Sequence, residues 1–123
     1  MATSLSVELI GSGFRTALVN LGNVSGNVNI NVNRGNEFLL TPTGNTNISF
    51  TGLPPSGQVA YWSLEIRARG SNTVTFGALS GQVLTFDGGT PIIASGVGST
   101  VLAFRCRDGQ NIVGAISYSN IPG

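Results

Sequence analysis

Over residues 24–33, VSGNVNINVN, apolar and polar positions alternate. In a β-strand that pattern sends Val24, Val28, Ile30 and Val32 to one face and Ser25, Asn27, Asn29, Asn31 and Asn33 to the other. Two further stretches alternate as clearly. In 60–69, Ala60, Trp62, Leu64, Ile66 and Ala68 share one face, and Tyr61, Ser63, Glu65, Arg67 and Arg69 the other. In 100–107, Leu102, Phe104 and Cys106 oppose Val101, Ala103, Arg105 and Arg107. These patterns place Trp62 in a core and make Cys106 a buried small hydrophobe.

Read along its length, the chain predicts strands near 4–10, 14–21, 24–33, 37–41, 46–51, 58–69, 73–77, 82–86, 91–94, 100–107 and 111–118. Turn chemistry separates them, as at Gly22-Asn23, Arg34-Gly35-Asn36, Thr43-Gly44-Asn45, Pro54-Pro55-Ser56-Gly57, Asp87-Gly88-Gly89 and Asp108-Gly109. No stretch sustains helical periodicity. Many short strands at this spacing predict a single all-β domain over 1–123. The expected form is an antiparallel β-sandwich of jelly-roll type, ahead of an oligonucleotide-binding barrel with its fewer strands. Ser4 to Ile10 alternates (Leu5, Val7, Leu9) before Gly11-Ser12-Gly13, the pattern of an N-terminal arm over 1–10 that can exchange onto a neighbour.

Composition changes the picture in one respect. Charged residues make up 9% of the 123, against about 25% in ordinary soluble domains. The hydrophobic share of 41% is ordinary, so the chain folds and presents a neutral surface. The net charge of +1 builds no strong field toward nucleic acid or anionic lipid. All 6 basic residues are Arg, a side chain suited to interfaces. The single Cys forms no internal disulfide, the start MATSLSVELI lacks the pattern of a signal peptide, and no apolar run matches a membrane span. The expectation is a soluble protein made in a cytosol.

Candidate chemistry is sparse. There is no His, which removes the commonest general base and metal ligand. One Cys cannot build a zinc site. The 5 carboxylates are Glu8, Glu37, Glu65, Asp87 and Asp108, and no spacing marks a catalytic pair. Asp87 and Asp108 each precede Gly, as turn residues do; a calcium site there is the weaker alternative. Gly11-Ser12-Gly13 opens no helix, so it cradles no phosphate. Tyr61, Arg67 and Arg69 are a thin basis for single-strand nucleic-acid binding. A sugar site would combine an exposed Tyr61 or Tyr118 with the Asn row; a neutral packing surface is the reading favoured here. Catalytic, cofactor-binding and metal residues are therefore expected to be none.

The run from Val59 to Gly109 resembles a β-rich segment of tailed-bacteriophage virion proteins. The resemblance rests on a Trp-centred strand (Trp62, Leu64, Ile66), a Thr-Val-Thr-Phe strand at 73–76, Phe86 before the Gly-Gly-Thr-Pro turn at 88–91, and an apolar strand ending in Asp-Gly at 101–109. It covers about half the chain and speaks to fold more than to role. Two kinds of protein are implied. One is a capsid cement or decoration protein, a homotrimer on the capsid surface that binds between major capsid protein subunits and has no catalytic residues. The other is the receptor- or glycan-binding tip of a tail fibre or spike. A Met-initiated chain of this size with nothing shaft-like before the sandwich suits the first. The expected location is the virion, after synthesis in the bacterial host cytoplasm, with neither nucleic acid nor membrane as partner. The Asn row (Asn27, Asn29, Asn31, Asn33) and the Arg strands (Arg67, Arg69, Arg105, Arg107) are the expected assembly contacts. Neutral amides can bond to a partner's backbone without the desolvation cost of charges.

Overall fold

The computed structural model describes residues 18–120. The strand expected at 4–10, the arm over 1–10, and Glu8 and Arg15 lie outside the described residues. Within them the elements are β1 (Leu18–Asn31), a 3-10 turn (Val32–Arg34), β2 (Glu37–Thr51), β3 (Ala60–Arg67), β4 (Val74–Phe76), β5 (Val83–Phe86), β6 (Ser99–Cys106) and β7 (Asn111–Asn120), with no α-helix. The all-β expectation stands.

The pairing is mixed rather than antiparallel. β1 runs parallel to β2, β2 is parallel to both β3 and β4, and β5 is parallel to β7. Antiparallel ladders are confined to β3–β6 and β6–β7. The strand order is β1-β2-β3-β6-β7-β5, with β4 beside β2 off this path.

The parallel pair β1–β2 forces a bend. Glu37 lies beside Leu18 and Thr51 beside Asn31. Six residue steps from Asn31 to Glu37 reach at most about 22 Å, whereas a straight strand from Leu18 to Asn31 would be about 43 Å long. The chain must therefore curl back on itself within β1. The curl falls at residues 20–26, where the register with β2 slips twice and Gly22 and Gly26 adopt φ of 70° and 72°. Those backbone angles are open to glycine without penalty. β2 bends at the matching place, where pairing jumps from Pro42 to Thr46. The sequence suggests two strands separated by a turn on each side, at 14–21 and 24–33 and again at 37–41 and 46–51; the described parts, Leu18–Asn31 and Glu37–Thr51, are in each case one long strand folded over the core.

The bend makes two layers. The first halves of β1 and β2 continue into β3, β6 and β7. The second halves lie across from them with β4. Phe50, near the end of β2, meets Trp62 of β3 and Phe104 of β6, with ring centroids 5.2 and 4.8 Å apart. Phe76 and Phe86 complete the aromatic cluster around Phe104, each with centroids 6.0 Å from it. Side-chain columns run through the stacked strands: Val19, Phe38, Leu64 and Leu102 in one layer, Val28, Ile48 and Phe76 in the other. Phe38, Leu40, Ile48, Phe50, Trp62, Leu64, Ile66, Leu102, Phe104 and Cys106 are all buried, as the alternation at 60–69 and 100–107 predicts for their part of this set.

Residues 91–94, expected as a strand, form an irregular segment instead, in which Ile93 and Ala94 are buried and Ile92 is exposed. Their backbone groups are held by side chains: Ala94 N donates to Thr100 Oγ1 at 2.8 Å, and Arg69 donates to Ile93 O. With those partners the segment needs no ladder.

Gly114 in β7 tests the core's tolerance. A methyl group there would sit 2.6 Å from Phe104 Cε1 and 3.0 Å from Phe86 Cε1. Gly114→Ala is expected to cost about 1–3 kcal/mol through overpacking. In a Phe104→Leu background the same change should cost less, because the ring it strikes is gone. Urea unfolding of the four chains measures both.

Candidate functional site

Asn27, Asn29 and Asn31 are on the strand where the alternation puts them, and the side chains of Asn29 and Asn31 bond within the chain. Asn29 Nδ2 donates to Ser49 Oγ at 3.3 Å, and Thr51 Oγ1 donates to Asn29 Oδ1 at 2.7 Å. Asn27 lies beside Asn47, which accepts from Thr75 Oγ1 at 2.9 Å. Asn31 Oδ1 accepts from Asn33 N at 3.0 Å and so caps the 3-10 turn. Asn33 and the buried Val32 belong to that turn, not to the strand. The row is thus a ladder of amides and hydroxyls along the outer face of the second layer. Shallow neutral grooves flank it; one of about 360 Å³ is lined by Gly26, Asn27, Asn45, Thr46, Asn47, Thr73 and Thr75.

The four named arginines have separate places. Arg67 is exposed and pairs with Glu65 two residues away, Nη2 to Oε2 3.1 Å. Arg69 does not share its face. β3 ends at Arg67, and Ala68 at φ 54° breaks the alternation. The Arg69 guanidinium donates to Ile93 O from Nε (3.1 Å) and Nη2 (2.9 Å), and to Asn72 O from Nη1 (2.8 Å). It ties two loops together and is a strut of the fold rather than a free contact residue. Arg105 is exposed on β6 between Tyr61 and Val113. Arg107 is exposed beyond the end of β6 and helps line a recess of about 150 Å³ with Arg105, Asp108, Asn111 and Val113.

Asp108 organises the β6–β7 turn. Its carboxylate accepts from Gln110 N (3.0 Å), Asn111 N (2.8 Å) and Asn111 Nδ2 (2.8 Å). Chiefly the bonds from Asn111, then that from Gln110, with a smaller aid from Arg107, lower its pKa from 3.8 to about 2. A carboxylate surrounded by N–H donors is committed to the turn, which is poor chemistry for a cation site. Among the described residues no three His, Cys, Asp or Glu side chains cluster as metal ligands would.

The surface that sequence reasoning missed is the outer face of β2, β3, β6 and β7. Cross-strand register assembles it in three rows. Tyr61, Arg105, Val113 and Thr85 form the first; Glu37, Ser63, Ala103 and Ala115 the second; Leu39, Glu65, Val101 and Tyr118 the third. The centre is flat because Ala103 and Ala115 are small. Tyr61 and Tyr118 stand at opposite corners, 61% and 58% exposed. Alternation alone identifies each outward residue. Only the register, including the slip in the β6–β7 ladder that skips Ser117 opposite Val101 and Leu102, brings Tyr118 into the row of Glu65.

This geometry separates the parts of the anticipated sugar site. The tyrosines lie on the outer face of one layer and the Asn ladder on the outer face of the other, so stacking ring and amides do not converge. A recess between β4 and β5, about 370 Å³, is lined by Val74, Phe76, Leu84, Phe86, Thr90 and Pro91 among others and holds no charged side chain. Comparison with protein-family models, curated proteins and solved structures gave no match to this chain.

Three outcomes follow from these placements. Arg69→Ala should destabilise the fold by about 2 kcal/mol, because it orphans the carbonyls of Ile93 and Asn72. Arg67→Ala, at an exposed pair, should change stability by less than about 0.5 kcal/mol. For Asp108, the folded carboxyl binds its proton less readily than the unfolded one. Its contribution is therefore complete above its unfolded pKa of 3.8 and is lost as pH falls toward about 2. Asp108→Asn should melt below the wild type at neutral pH, and the gap should close across that acid range; melting curves from pH 7 to pH 2 read it.

Proposed function

We propose that this chain is a non-enzymatic structural protein of a tailed-bacteriophage virion, working as capsid cement that binds between major capsid protein subunits. The observation that carries the reading is the flat outer face centred on Ala103. It combines exposed tyrosines, an accessible guanidinium and small residues. Tyr and Arg are the side chains that anchor protein interfaces, because they bury large area at modest entropic cost and bond at their tips. The resemblance over 59–109 supports the same reading: its Trp62 and 101–107 strands are β3 and β6, two of the strands that present this face.

The work required is mechanical. A module bound at many equivalent sites stabilises the shell against opening by mass action at each site. A charge-poor surface suits dense display, since like charges on neighbouring copies would repel.

The test is co-sedimentation with shells assembled from the major capsid protein of the same phage. The chain should travel with the shells, and Tyr61→Ala and Arg105→Glu should each lower its affinity at least tenfold while leaving its melting temperature near that of the wild type. Absence from the shells, joined with retention on host cells or polysaccharide, would overturn the cement role in favour of a fibre-tip module.

A further inference from the structure

β1 is the end strand of the sheet, and among the described residues nothing pairs with its outer edge. Among the described residues it is also the longest edge: β4 has 3 residues, β5 has 4, and β7 is open only beyond its pairing with β5. Long exposed edges are normally guarded by charge, proline or a covering element. β1 reads LVNLGNVSGNVNIN, without one charged residue or proline. Behind it, Val19, Leu21, Val24 and Val28 are only partly buried at the end of the core. Among the described residues nothing covers the core on this side.

The sequence of β1 is complementary to itself when reversed. About an axis between Val24 and Ser25, Val19 falls opposite Ile30, Asn20 opposite Asn29, Leu21 opposite Val28, Gly22 opposite Asn27 and Asn23 opposite Gly26. In these five pairs apolar meets apolar and amide meets amide or glycine; the other two, Leu18 opposite Asn31 at the ends and Val24 opposite Ser25 at the axis, set apolar against polar. The five give the match an antiparallel pair requires, because a slip of one residue would set each inward side chain against an outward one. The bend at residues 20–26 places the same axis at the corner of the strand.

We infer that two copies of this chain pair through their β1 edges, antiparallel, across a twofold axis through that corner. The first half of one β1 then lies along the second half of the other. Val19 sits beside the partner's Ile30, Leu21 beside the partner's Val28, and Asn20 beside the partner's Asn29. Each layer of one sandwich continues into the opposite layer of the other, and the partly buried valines gain cover. An isologous contact of this kind closes at two copies. It is therefore additional to any threefold arrangement, and it leaves the Ala103 face free. The inference does not rest on the virion reading: solution mass reports the pairing, while shell co-sedimentation reports the role.

The experiment is light scattering after size exclusion across a concentration series, using the full 123-residue chain. The wild type should be dimeric at about 100 µM. Asn20→Lys with Asn29→Lys sets lysine against lysine at both symmetric positions and should raise the dissociation constant at least 100-fold. Asn20→Lys with Asn29→Asp sets lysine against aspartate in the same places and should restore it to within tenfold of wild type. Far-ultraviolet circular dichroism confirms that each variant is folded. Hydrogen exchange on the wild type gives a reading that needs no variant: amides within 18–31 should gain protection as concentration rises. A wild-type monomer at that concentration overturns the inference, including the case in which residues 4–10 of the same chain occupy the edge. So does an oligomer on which the two variants act alike.

Discussion

The fold depends on β1 and β2 being bent together. Each would be too long for a small sandwich if straight, and the link between them is too short to return the chain to its starting point. Curling both strands over the core resolves the two constraints at once. It brings Phe50 onto Trp62 and Phe104, and this aromatic contact between layers closes the sandwich. Without the bend, the apolar faces of the two halves would point the same way and have nothing to bury against. The glycines at 22 and 26 permit the turn in β1, and the skipped pairing between Pro42 and Thr46 marks it in β2.

The inner faces were legible in the sequence because period-two alternation is local. It identified Trp62, Leu64, Ile66, Leu102, Phe104 and Cys106 as core and Tyr61, Arg67 and Arg105 as outward. Strand direction was not legible. Short strands between glycine-rich turns suggest hairpins, yet the segments flanking residues 22–26 and 43–45 are halves of single strands, and their neighbours run parallel. A glycine at positive φ serves a hairpin turn and a corner equally well, so the residue type does not decide between them. Arg69 departs from the face that alternation predicts for a related reason. Alternation was carried through Ala68, where the backbone turns to φ 54° and sends the guanidinium to the carbonyls of Ile93 and Asn72. The candidate interface was only half legible, since its outward residues follow from alternation but their grouping into rows needs the register.

Parallel stacking also explains the asparagines. In a parallel in-register stack, outward residues of successive strands lie beside one another about 4.8 Å apart. A row of one charge would set like charges at that spacing. Amides and hydroxyls both donate and accept, so they can bond up and down the stack, as Asn29 does with Ser49 and Thr51 and as Asn47 does with Thr75. The low charge of the second layer's outer face is thus partly a folding requirement, and those residues need no partner to justify them. The first layer's outer face is different. Among the described residues no side-chain hydrogen bond accounts for Tyr61 and Tyr118 standing more than half exposed at the corners of an alanine-floored sheet. Folding would be served as well by threonine or lysine at either position. The residues that folding leaves unexplained are the ones on which a partner surface has the strongest claim.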